Sequence, residues 1–127
     1  MDLTKIKGLD HIGIPSRDIE KTIEFFSGLG FKVVMRTINE NSGEKVAFLS
    51  LGTTMIETYQ PKTVKGGSGA IDHIALSVDD VDSLFYNAKK EGYMTTDLEE
   101  LPFWENGVRF FKVTGPEGEV VELIQKL

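Results

Sequence analysis

The sequence predicts an α+β protein built from two fused β-α-β-β-β modules, and three observations carry that expectation. Leu9-Asp10-His11-Ile12-Gly13-Ile14 returns further along as Ile71-Asp72-His73-Ile74-Ala75-Leu76. Residues 9 to 33 and 71 to 95 align without a gap and agree at Asp10/Asp72, His11/His73, Ile12/Ile74, Asp18/Asp80 and Gly30/Gly92, the mark of a duplication rather than of a many-copy solenoid. A chain of 127 residues is long enough for one compact domain and short for two independent ones. The copies are therefore expected to form a single domain over 1–127, with halves 1–61 and 70–127.

Each half opens with a run of alternating apolar residues, 9 to 14 or 71 to 76, as a half-buried strand requires. Asp18 or Asp80 can then cap a helix. Its apolar positions, Ile19, Ile23 and Phe26 in one copy and Val81, Leu84, Phe85 and Ala88 in the other, recur at helical spacing. Gly30 and Gly92 stand where that helix should end. Three further strands are expected in each half: 31 to 37, 45 to 51 and 54 to 60, then 93 to 97, 108 to 114 and 119 to 125. Gly115-Pro116-Glu117-Gly118 provides the tight turn before the last of them. The Gly- and Lys-rich segment 61–70, PKTVKGGSGA, reads as the linker between the halves.

Composition narrows the functional classes. With 40% hydrophobic and 27% charged residues the whole chain should fold. A net charge of −6, with the basic residues scattered, leaves no footprint for nucleic acid or an anionic membrane, so a small molecule is the expected partner. The absence of cysteine excludes disulfides, thiolate metal sites and a cysteine nucleophile. No apolar run approaches the roughly 20 residues that span a bilayer, and the N-terminal MDLTKIKG lacks the apolar core of a secretory signal. A cytoplasmic location is the default expectation.

Strand alternation puts His11 on the face opposite Ile12 and Ile14, and His73 opposite Ile74 and Leu76. The last strand of each half carries a glutamate in apolar surroundings, Glu57 in MIETY and Glu122 in VVELI. A charge there is expensive unless it is paired or bound to a metal. If the two sheets face each other, His11, Glu57, His73 and Glu122 converge in one cleft. Two imidazoles and two carboxylates suit a divalent ion such as Zn, Ni, Co, Fe or Mn.

Together the DHI openings, the two glutamates and the closing GPEGEVVEL resemble the vicinal oxygen chelate superfamily along essentially the whole chain. The superfamily contains glyoxalase I, methylmalonyl-CoA epimerase, extradiol dioxygenases and bleomycin-resistance proteins. The chain is most similar to small bacterial lactoylglutathione-lyase-like proteins. The resemblance implies paired modules forming a cup-shaped mixed sheet around a metal held by His11, Glu57, His73 and Glu122. It also implies a metal-dependent isomerase or lyase of the glyoxalase I type, stabilising an enediolate of a small carbonyl or hemithioacetal. Two alternatives are an epimerase acting on an acyl thioester, although epimerases often have glutamine where Glu57 stands, and a non-catalytic drug-binding protein.

Glu122 is the candidate proton carrier, with Glu57 as its counterpart, and the resemblance gives Glu40 either a base's role or that of a solvated loop residue. Phe103 and Trp104 lie in LPFWENG, a stretch without counterpart in the first half, and form either a substrate-selecting wall or an aromatic plug. Arg109 either pairs with a substrate carboxylate or sits at the rim. A homodimer is expected, as is common for symmetric soluble proteins.

Overall fold

The computed structural model describes residues 1–5 and 7–127; Ile6 of the N-terminal MDLTKIKG lies outside them. The chain divides into two compact units, Met1–Lys65 and Gly66–Leu127, with the boundary inside the segment expected as a linker. After a single turn of 3-10 helix at Leu3–Lys5, the first unit contains β1 (Ile12–Pro15), α1 (Ile19–Gly28), β2 (Lys32–Ile38), β3 (Lys45–Leu51) and β4 (Thr54–Tyr59). Its sheet runs in the order β1-β4-β3-β2, with β1 parallel to β4 and the other pairs antiparallel.

The second unit contains β5 (Ile74–Ser77), α2 (Val81–Lys90), β6 (Met94–Thr95), β7 (Glu99–Leu101), β8 (Val108–Thr114) and β9 (Val120–Lys126). Its order is β5-β9-β8-β6, with β7 also on β8 and β5 parallel to β9. Each unit is thus a mixed sheet with one helix, the α+β class expected. No helix among the described residues is long and apolar enough to cross a membrane.

Two details depart from the expected elements. The opening strands start at Ile12 and Ile74, one residue after each histidine, and Leu9 and Ile71 are exposed. Their parallel pairing with β4 and β9 begins at Ile12 with Ile56 and at Ile74 with Val121. The strand expected at 93–97 is interrupted. Thr95 pairs with Val113 and Glu99 with Phe110, a shift of one residue along β8, so that β6 and β7 are two pieces of one bulged strand. The first unit has the same shift between Val33 and Met35.

The helices form where the caps and apolar spacing place them. Asp18 accepts a hydrogen bond from the Glu20 amide at 3.2 Å, and Asp80 from the Ser83 amide at 3.1 Å. Gly30 and Gly92 take φ of +96° and +84° just past the last turn, the left-handed conformation that glycine adopts without penalty. The buried faces, Ile19, Ile23 and Phe26 in α1 and Val81, Phe85 and Ala88 in α2, pack on one side of their own sheets. Phe26 meets Phe31 edge-on, and Phe85 meets Phe111 in the same way.

A further duplicated bond ties each helix to its last strand. Gln60 Oε1 accepts from the Ile19 amide and Gln125 Oε1 from the Val81 amide, both at 3.0 Å. These amides open their helices and have no intrahelical acceptor. Gln60→Ala or Gln125→Ala should therefore each lower stability by about 1–2 kcal/mol, the usual cost of an orphaned buried donor. The shift in urea unfolding midpoint measures it.

The 115–118 turn is closed by the Gly118 amide donating to Gly115 O at 3.0 Å. Gly118 combines φ of +81° with an approach in which a Cβ would lie 2.9 Å from the Gly67 backbone, so no other residue fits there without displacement. Beside it, Glu119 Oε2 accepts from the Glu117 amide at 2.8 Å, whereas Glu119 Oε1 is buried with no hydrogen-bond partner. Burial pushes this carboxyl above its ordinary 4.5. Between 4.5 and the raised value the folded chain holds a proton that the unfolded chain has released, so stability falls as pH rises through that window. Glu119→Gln should accordingly be more stable than the parent at pH 7. The gain should shrink as pH falls towards 4.5, which thermal unfolding over a pH series would follow.

Candidate functional site

The parallel pairing of first and last strands builds one imidazole–carboxylate pair in each unit. In the first, Gly13 is the register partner of Glu57, and His11 lies two residues earlier on the same face. His11 Nε2 stands 3.6 Å from Glu57 Oε2. In the second, Ala75 is the partner of Glu122, and His73 Nε2 again stands 3.6 Å from Glu122 Oε2. Glu122 is the more enclosed of the two, its side chain 10% exposed against 26% for Glu57. Among the described residues no group of three or more His, Asp or Glu side chains is arranged to hold a metal ion.

The residue before each histidine is part of the arrangement. His11 Nδ1 lies 2.7 Å from Asp10 Oδ2, and His73 Nδ1 lies 2.8 Å from Asp72 Oδ2. An ionised aspartate only accepts, so in the neutral ring the proton sits on Nδ1 and the Nε2 lone pair faces the glutamate. The bond to His73, with the charge of Lys112 adding to it, holds the Asp72 carboxyl below the usual aspartate range. A separation of 3.6 Å is too long for a hydrogen bond, and with the ring in the Nδ1–H form and the glutamate ionised neither facing atom carries a proton. Each pair therefore presents a nitrogen and an oxygen lone pair side by side, a donor set that suits a cation, with the aspartate fixing the ring as an outer partner does in metal sites.

The other candidate residues fall in different places. Lys126 shares the face of Glu122 by alternation, and its ammonium lies 4.2 Å from the centre of the Trp104 ring, which puts Trp104 at the far end of that face. Trp104 and Phe103 are exposed, and Trp104 holds φ of +61°, a conformation unusual for a bulky residue. Arg109 does not lie beside Glu122. Alternation turns it to the helix-bearing side, where it binds Asp82 of α2 at 2.7 Å and Glu100 at 3.1 Å. Arg36 clamps Glu20 of α1 in the same manner. Glu40 is exposed in the turn beyond the last β2–β3 pair, Ile38 with Lys45.

Two groups escaped the reading of the sequence. The repeat included Asp10 and Asp72, but nothing in the pattern alone distinguished an imidazole partner from a solvated carboxylate. Lys112, the register partner of Glu122, lies on the ligand-bearing face, where Arg109 had been considered instead. Since the chain has only two histidines, long-range proton–nitrogen NMR of the metal-free protein resolves both rings directly. Above the range where the rings are protonated, both should show the Nδ1–H tautomer. Asp10→Ala or Asp72→Ala should return only its own histidine towards the Nε2–H form.

Comparison with known proteins agrees with this architecture. The profile of the Glyoxalase/Bleomycin resistance protein/Dioxygenase superfamily matches residues 8–123. An uncharacterised protein of Bacillus subtilis, YwbC, is 35% identical, with 94% of this chain and 98% of that protein aligned. Human mitochondrial methylmalonyl-CoA epimerase is 28% identical over 92% of this chain and 73% of its own length. A crystal structure of a glyoxalase I mutant from Zea mays superposes with a TM-score of 0.75 at 26% identity, covering 92% of this chain and 44% of that one. With matched residues running from the first DHI to the last strand, the chain belongs to the glyoxalase/bleomycin resistance protein/dioxygenase superfamily.

Proposed function

We propose that the protein is a metal-dependent isomerase or lyase of the glyoxalase I type, acting on a small carbonyl compound. The observation that carries this reading is the repeated donor pair: in each unit an imidazole nitrogen, its ring bonded to the preceding aspartate, and a glutamate oxygen lie 3.6 Å apart, beyond hydrogen-bonding distance. His11, Glu57, His73 and Glu122 would hold a divalent ion, with the two carboxylates balancing its charge. Their convergence, within one chain or between two chains of a homodimer, is part of the proposal. When bound, such an ion supplies Lewis-acid stabilisation of the charge that builds on adjacent substrate oxygens as a proton leaves the neighbouring carbon.

The chain's own residues would do the rest. Glu122, flanked by buried Val121 and Leu123, is shielded from water and would take a proton from one carbon and return it at the next. Glu57 is its counterpart in the first unit. Asp10 and Asp72 keep both imidazoles aimed, and Phe103 and Trp104 provide aromatic surface at the end of the face that Glu122 shares. A second reading, an epimerase acting on an acyl thioester, is favoured by the 28% identity to human methylmalonyl-CoA epimerase. Both readings use the same donors and differ in the carbon that receives the proton.

The purified protein should bind about one equivalent of zinc or cobalt per complete donor set, and His73→Ala should abolish that binding. Turnover of a methylglyoxal–glutathione hemithioacetal is expected to fall by about 10²- to 10⁴-fold in Glu122→Gln, the usual size of a general-base contribution. Absence of metal binding, or full turnover in Glu122→Gln, would overturn the reading. Deuterium exchange into a 2-acyl-CoA without hemithioacetal turnover would select the epimerase.

A further inference from the structure

The turn between β7 and β8, closed by the pairing of Leu101 with Val108, contains the dipeptide Asn106-Gly107. Its geometry requires that glycine. Gly107 has φ of +90°, and a Cβ there would lie 3.2 Å from the Leu101 carbonyl oxygen. Its carbonyl is fixed by the Leu127 amide, which donates to it at 3.0 Å. Among the described residues nothing accepts from the Gly107 amide, and Asn106 is exposed to water. An unhindered, unbonded amide nitrogen therefore follows an asparagine whose side-chain carbonyl is accessible.

The other three asparagines lack that combination. Asn87 lies inside α2, where the amide that follows it, on Ala88, belongs to the helical ladder. Asn39 is locked in its turn: its Oδ1 accepts from the Asn41 amide at 3.0 Å and its carbonyl from the Gly43 amide at 2.7 Å. It also precedes the bulky Glu40. Asn41 is the nearest rival, but Ser42 after it has a Cβ to crowd the approach.

We propose that Asn106 is a site of spontaneous deamidation, with water as the co-reactant. The Gly107 nitrogen attacks Cγ of Asn106 and forms a new C–N bond; the bond to the amide nitrogen breaks, and ammonia leaves with the proton that Gly107 gave up. Water then opens the resulting succinimide. Cleavage between the Gly107 nitrogen and Cγ yields aspartate, and cleavage at the main-chain carbonyl yields isoaspartate. No electron is gained or lost. Either product adds a negative charge, and isoaspartate also routes the main chain through Cβ, adding one carbon to the turn. Two residues away, Trp104 holds φ of +61° with its ring centre 4.2 Å from the Lys126 ammonium. The isoaspartyl carbon enters the turn that sets this position and moves the indole from the ammonium.

The native protein is incubated in warm, mildly alkaline buffer made with heavy-oxygen water, then mapped by peptide mass spectrometry, with electron-transfer fragmentation to separate isoaspartate from aspartate. Asn106 should be consumed first and take up solvent oxygen, faster as pH rises because the attacking amide must lose its proton. Asn41 and Asn87 should remain intact over the same interval. Asn106→Gln, which would need a larger ring, should stay unmodified. Trp104 is the only tryptophan, so its emission reports the consequence. The isoaspartate fraction should differ from the parent more than Asn106→Asp does, since that variant adds the charge without the carbon. Loss of Asn41 before Asn106, or retention of Asn106 in the folded protein while the urea-unfolded chain converts, would overturn the site. Emission in the isoaspartate fraction equal to that of Asn106→Asp would overturn its effect on Trp104.

Discussion

The parallel pairing of the first and last strands is the constraint on which each unit depends. It brings chain ends far apart in sequence into one register, with Gly13 beside Glu57 and Ala75 beside Glu122. The small side chain at that partner position leaves the glutamate open on its face, and the imidazole two residues earlier completes the pair. A parallel pair also needs a connection that crosses over, and the helix supplies it in both units. Helix, sheet and donor pair therefore form one device: a different register would turn the glutamate towards the helix and strand it among phenylalanines.

Side-chain bonds reinforce that register at the same places in both units. Gln60 and Gln125 follow their glutamates by three residues, which puts them on the opposite side of the chain, where they reach the first amide of the helix. The last strand is thus held on one side by a helix N-terminus and carries its half of the donor pair on the other. Arginine clamps on the first helical turn, Arg36 to Glu20 and Arg109 to Asp82, add charge pairing next to the same amides. They come from different strands, β2 and β8, so the function of the clamp is repeated although its sequence position is not. Carboxylates in the first turn also suit the positive end of the helix dipole.

What the repeat made legible and what it did not can be traced to particular residues. Caps, apolar spacing and terminal glycines specify helices locally, so α1 and α2 appear where Asp18, Asp80, Gly30 and Gly92 put them. That His11 and Glu57, like His73 and Glu122, lie on the face turned away from the helix was readable as well, since all four occupy duplicated positions of strands with a clear alternation. The bulged strand was not: Thr95-Thr96-Asp97-Leu98 has no alternation, and the shift along β8 depends on Thr96 bonding to Lys112 through its side chain. Arg109 was harder still. Its face is set by counting from Glu122 through the 115–118 turn, and a one-residue difference in that turn would have exchanged the places of Arg109 and Lys112.

That exchange shows why the donor pairs and their surroundings carry different kinds of information. A duplicated module repeats what both copies must do: start a strand just after a histidine, cap a helix, and place a glutamate on the last strand three residues before a glutamine. Selecting a ligand requires the copies to differ, and on the ligand-bearing faces they differ at Phe48 against Lys112, at Tyr59 against Ile124 and in the connection that carries Trp104. None touches the helix-bearing side, where edge-on phenylalanine pairs, Phe26 with Phe31 and Phe85 with Phe111, pack each helix on its own sheet. Because alternation assigns successive residues to opposite faces, a strand can change its ligand contacts at every second position without disturbing its core. In this chain β8 does both at once, with Phe111 and Val113 buried against the helix side and Lys112 between them presented to the donors.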